Sequence, residues 1–133
     1  MSKKFAIASV AAFVLFSGLG YLNHGYILQH AYSHYPSLFR TIDDSANHMP
    51  FILIANLVMA IPFAWIYERG RTDTPWMGQG LRYGIAMAAL VPAGKFITYY
   101  AIQPIDHGIV LHEILLDGAA IVITALVVAR IYK

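Results

Sequence analysis

Four apolar stretches dominate this chain, covering residues 5–22, 49–67, 81–101 and 109–129. Each is close to the length, about 20 residues, that a helix needs to cross a bilayer. In lipid the backbone must satisfy its own polar groups, which leaves helices or closed strand barrels. A barrel does not fit, because no stretch alternates apolar with polar residues and four strands do not close. Nor can 133 residues bury so much apolar surface away from water. Hydrophobic residues make up 59% of the chain and charged ones 12%, about half the charge of a soluble domain. The expectation is an all-α, single-domain integral membrane bundle of four transmembrane helices over residues 1–133.

Basic residues orient the spans. Lys3, Lys4, Arg69, Arg71, Arg82, Arg130 and Lys133 fall on one side, Arg40 falls on the other, and Lys95 lies within a span. That bias predicts a cytoplasmic N-terminus and C-terminus. Met1 to Lys4 and the apolar run behind it resemble a secretory signal. The run is longer than the usual signal core of about 7–15 residues, and Ser17-Gly18-Leu19-Gly20 is a poor cleavage site, so an uncleaved first helix is expected. Residues 23–48 form a long external loop rich in histidine, whose stretch from Tyr26 to Tyr32 either continues the first helix or lies in the interface. Asp43, Asp44, Ser45 and Asn47 are expected to cap the second span, with Pro50 in its first turn.

The third span carries a small-residue stripe, Gly80, Gly84 and Ala88, which lets helices pack closely in lipid. Lys95 comes seven residues after Ala88, on the same face of a regular helix, so the stripe is expected to aim it into the bundle. Pro92 between them is a candidate kink. Asn23-His24-Gly25 after the first span has an echo in Asp106-His107-Gly108 after the third.

From His48 onward the chain resembles small four-helix bacterial integral membrane proteins of unknown function. The matching segments are Ala64-Trp65-Ile66-Tyr67-Glu68-Arg69-Gly70, Gly78-Gln79-Gly80-Leu81-Arg82-Tyr83-Gly84 and Tyr99-Tyr100-Ala101-Ile102-Gln103-Pro104. The resemblance implies the four-helix architecture and a bacterial inner (cytoplasmic) membrane, and it supplies no activity.

Ionisable groups within spans are costly and mark candidate sites. Glu113 and Asp117, four apart, share one face of the fourth span. Glu113 lies about 7 Å and Asp117 about 13 Å below the external end, with Lys95 at about 9 Å and Asn56 at about 10 Å. Lys95 is therefore expected to reach between both carboxylates. One cation with two acids either shares a proton or binds a second cation, or else an ion pair simply fixes the register of two helices.

All six histidines fall on the external half. His30 and His34, one helical turn apart, are candidate ligands with His24, His48 and His107, and imidazole without thiolate suits zinc, copper, iron or haem. The alternative is amphipathic residues at the headgroup boundary. No cofactor is required by the sequence. The absence of cysteine excludes thiolate chemistry, no basic face suggests nucleic acid, and no nucleophile has a base at fixed spacing. The leading expectation is a non-enzymatic accessory or assembly subunit, a homo-oligomer or part of a larger membrane complex. A proton- or cation-coupled carrier using Lys95, Glu113 and Asp117 comes second, and a histidine-ligated metal or haem protein third.

Overall fold

The computed structural model describes residues 2–133; Met1, which opens the signal-like run, lies outside them. Among the described residues there are helices and no strands. The first span, Lys3–Ile27, consists of α1 (Lys3–Gly20) and a π-helical turn, Tyr21–Ile27. Ser2 starts it, its hydroxyl accepting from the Phe5 amide at 3.1 Å. The chain continues through α2 (Gln29–Tyr32) and α3 (Ile42–Asn47) to α4 (Met49–Gly70), the second span. The third span, Trp76–Ile102, is α5 (Trp76–Ala88), a second π turn at Ala89–Ala93, and α6 (Gly94–Ile102). The fourth is α7 (His107–Ile131). All four are long and apolar enough to cross a membrane.

The capping acids take a different role from the one expected. Asp43, Asp44, Ser45 and Asn47 all lie within α3, which is capped by the Thr41 hydroxyl accepting from the Asp44 amide at 3.3 Å. Helix α4 follows with His48 at its N-cap and no side-chain cap, while Pro50 occupies its first turn. Pro50 costs nothing there, because that amide would have had no helical partner.

Both termini lie at one end of the bundle. The Lys4 ammonium donates to the Lys133 carbonyl at 2.9 Å, and Ser2 donates to Glu68 at the end of α4 at 2.8 Å. In this half the core is built on alanine: Ala8, Ala12, Ala60, Ala64, Ala125 and Ala129 are wholly buried. Small side chains let backbones approach, the main route to tight packing where lipid removes the hydrophobic incentive. At the opposite, loop end, Leu38 and Phe39 fold back onto Phe96, Ile105 and Val110. The long first loop is thus a cover on the bundle.

Gly80, Gly84 and Ala88 all pack on α7. A Cβ on Gly80 would stand 2.8 Å from the Ala129 Cβ, and one on Gly84 would stand 2.8 Å from the Val122 Cα. Ala88 faces Gly118, where an added Cβ would lie 3.7 Å from the Ala88 Cβ. The stripe does not carry on to Lys95. A π turn bonds i to i+5 and so absorbs about one extra residue. The inward position seven residues beyond Ala88 therefore passes to the eighth, Phe96, which is 2% exposed, while Lys95 faces outward. Pro92 lies in this turn and is itself buried. Its ring clashes with a regular helix backbone, and the wider turn relieves that.

Candidate polar relay in the loop-end half

The first π turn brings two neighbouring side chains onto one partner. Consecutive residues of an α-helix diverge by about 100°, and the wider π turn reduces that angle. Asn23, 5% exposed, donates from Nδ2 to Asp117 Oδ1 at 3.0 Å. The next residue, His24, places Nε2 at 3.0 Å from both Asp117 oxygens. The turn is closed by the Leu28 amide donating to the Asn23 carbonyl at 2.8 Å, an i to i+5 bond.

His24 Nδ1 in turn meets the Tyr32 hydroxyl at 2.5 Å. That hydroxyl donates to Glu113 Oε1 at 2.8 Å. The Tyr32 ring is held between neighbours, stacked at 5.9 Å on His24 and at 4.2 Å on Phe39 of the covering loop. Burial and the Glu113 carboxylate both push the Tyr32 hydroxyl well above the ordinary tyrosine range. Tyr32 therefore stays a phenol, a group that can donate one hydrogen bond and accept another. Glu113 is 3% exposed, and its second oxygen, Oε2, is buried without a hydrogen-bond partner among the described residues.

Asp117, His24, Tyr32 and Glu113 form one continuous chain, and two proton arrangements fit the same heavy atoms. In the first, an imidazolium donates from Nε2 to Asp117 and from Nδ1 to the Tyr32 oxygen, while Tyr32 donates to a Glu113 carboxylate. In the second, Glu113 is protonated and donates to the Tyr32 oxygen, Tyr32 donates to Nδ1, and a neutral imidazole keeps its Nε2–H on Asp117. The proton count and net charge are the same in both. Moving between them takes two concerted transfers, Nδ1–H to the Tyr32 oxygen and the Tyr32 proton to Glu113, which together carry one proton's worth of charge along the chain.

The other residues singled out from the sequence are distributed differently. Lys95 makes no ion pair within 4.0 Å among the described residues; its ammonium lies over the Phe96 ring at 4.1 Å and the Tyr99 ring at 6.0 Å. Asn56 is buried away from the acids and donates to Ser17 Oγ at 3.2 Å, linking α4 to α1. His30 and His34 are exposed and meet edge to face, with ring centroids 5.0 Å apart. His48 sits against the Asp44 carbonyl at 2.7 Å, and His107 lies 3.6 Å from Asp106. No three His, Asp or Glu side chains among the described residues converge as a metal site would require.

Asn23 and Tyr32 were absent from the residues picked out by sequence. Both had a signal available: Asn23 adjoins His24 in the Asn23-His24-Gly25 triplet that Asp106-His107-Gly108 echoes, and Tyr32 follows His24 by eight residues. Neither count becomes useful until the π turn is known. No family model, curated protein or solved structure matches this chain.

Proposed function

We propose that this chain is a small proton-coupled membrane carrier, working as a homo-oligomer or as an accessory subunit of a larger complex, with no catalytic chemistry of its own. The observation that carries this is the hydrogen-bonded chain Asp117–His24–Tyr32–Glu113 inside four membrane-length helices. Ionisable groups at such depth are expensive unless they serve a site, and relays of this composition move protons. In the proposed orientation both termini are cytoplasmic, in a bacterial inner membrane, and the relay opens toward the external side.

Among the described residues the alanine-built core beneath the relay has no comparable polar chain, so transfer across the bundle would depend on a conformational change rather than on a fixed proton wire. Uptake would be coupled to a movement of the covering loop, because Tyr32 belongs both to the relay and to that loop. Protonation that alters the Tyr32–Glu113 bond changes how firmly residues 28–39 are held on α7.

Infrared difference spectra of the purified protein across a pH titration provide the test. A carboxylic C=O band that shifts in heavy water and disappears in Glu113→Gln is expected. Proteoliposomes containing a trapped pH dye should then acidify under an imposed gradient, and His24→Gln should lose that response. A spectrum without any titrating carboxyl, or one unchanged by Glu113→Gln, would overturn the proposal.

A further inference from the structure

The end of the bundle that holds the termini has a second polar feature, unconnected to the relay. A cleft of about 340 Å³ lies between the end of α4 and the start of α5, lined by Tyr67, Arg71, Thr72, Gln79, Arg82 and Tyr83. It has two guanidinium groups and no carboxylate in its lining, Asp73 belonging to the adjoining cleft. From these features we infer that the cleft binds the phosphate of an anionic phospholipid headgroup.

Its walls are already in place. Gln79 accepts from the Thr72 amide at 2.7 Å and donates back to the Thr72 and Thr74 carbonyls at 2.7 and 2.6 Å, which pins the 71–75 connection over α5. The Tyr83 hydroxyl is committed to the Phe63 carbonyl at 2.6 Å, so it shapes the wall without offering a free donor. Arg71 is steadied by one bond, Nη1 to the Tyr132 carbonyl at 3.2 Å, and lies 5.2 Å from the Tyr132 ring centroid. Its remaining N–H groups stay available. Arg82 has no ion pair and no aromatic partner among the described residues.

The other two arginines at this end lie outside the cleft lining, Arg69 over Trp65 and Arg130 over Trp76, each at 5.6 Å. A forked guanidinium pair without a counter-charge suits phosphate oxygens. A lipid is favoured over a soluble phosphate by position. The third span has 27 residues, about 40 Å of helix, against a hydrocarbon core of about 30 Å. Trp76 and Arg82 in its opening turns are residue types that anchor at the headgroup layer, which places the surplus at this end. Ile66, 42% exposed, flanks the cleft with an apolar surface for an acyl chain. Basic pockets between membrane helices commonly hold such headgroups.

The test uses the full chain in phosphatidylcholine nanodiscs doped with phosphatidylglycerol, with retained lipid counted by native mass spectrometry. Arg71→Gln and Arg82→Gln should each lower the preference for phosphatidylglycerol about fivefold, and Arg69→Gln should leave it nearly unchanged. Unaltered melting of each variant would show that the fold is intact. Equal effects of all three substitutions would overturn the site, because the preference would then come from diffuse positive charge. Inorganic phosphate is titrated onto the detergent-solubilised chain in parallel. Saturable phosphate binding lost in both cleft variants, with no lipid preference to lose, would overturn the lipid as occupant.

Discussion

Removing the Tyr32 hydroxyl should destabilise this bundle far more than one phenol oxygen suggests. In Tyr32→Phe the ring keeps its stacking on His24 and Phe39, while His24 Nδ1 and Glu113 Oε1 lose their shared partner. Glu113, 3% exposed and with Oε2 already unpartnered, is then left without any hydrogen bond. A hydrogen bond to a charged group contributes about 1.5–3 kcal/mol, and a stranded buried group costs about as much. The expected loss is about 2–3 kcal/mol. Glu113→Leu alone should cost about 1 kcal/mol, because Tyr32 can still donate to His24. Adding Tyr32→Phe to Glu113→Leu should cost only about 1 kcal/mol more, since no buried carboxyl remains to be stranded, giving a coupling of about 1–2 kcal/mol. Unfolding of the singles and the double in mixed micelles measures it. Losses additive to within about 0.5 kcal/mol would show that the two side chains do not share a network, and the reasoning would fail.

Lys95→Met should change stability by less than about 1 kcal/mol, because the ammonium is exposed and partnered only by rings; a loss of several kcal/mol in the same assay would restore it to the acids. Gly84→Ala should destabilise by about 1–3 kcal/mol, since its new methyl meets backbone at 2.8 Å. Gly18→Ala, with open space around it, should instead be neutral or stabilising by up to about 1 kcal/mol. The Arg40 guanidinium bonded to Asp44 at 2.7 Å holds that carboxyl below its ordinary value of 3.8. Because the folded value is the lower one, the pair's contribution is present above 3.8 and is lost as pH falls through the depressed value. NMR titration of Asp44 should show that depressed midpoint, and Arg40→Gln should return it toward 3.8.

The loop between the first two spans shows why parts of the site resisted reading. Tyr21, Tyr26, Tyr32 and Tyr35 look alike in sequence, as amphipathic residues near a headgroup layer. Tyr32 alone reaches Glu113, while Tyr35 uses its hydroxyl to accept from the Asp106 amide at 3.2 Å. Their roles separate only when the loop folds back over α7, a contact between residues about eighty positions apart. The acids were legible because a charge inside an apolar run is conspicuous at once. Their partner was not. Lys95 was the nearest opposite charge by depth, yet Asn23, His24 and Tyr32, from the first span and its loop, occupy both carboxylates.

Span number and helical class followed from the sequence alone, because a stretch long and apolar enough to cross a bilayer must bond within itself there. An even number of spans then returns the chain to the end where it started. The packing of Gly80, Gly84 and Ala88 against another helix was legible for a similar reason: close approach needs small residues at a helical repeat, and that repeat is local. What only the tertiary structure decided was helix phase beyond the two π turns. One extra residue absorbed at Tyr21–Ile27 brings Asn23 and His24 together onto Asp117, and another at Ala89–Ala93 turns Lys95 out and Phe96 in. Pro92 marks the second turn as a break but does not say that it is π-helical, and the first has no such mark. A π turn persists because packing on both sides of it is satisfied at once, and that balance exists only in the assembled bundle.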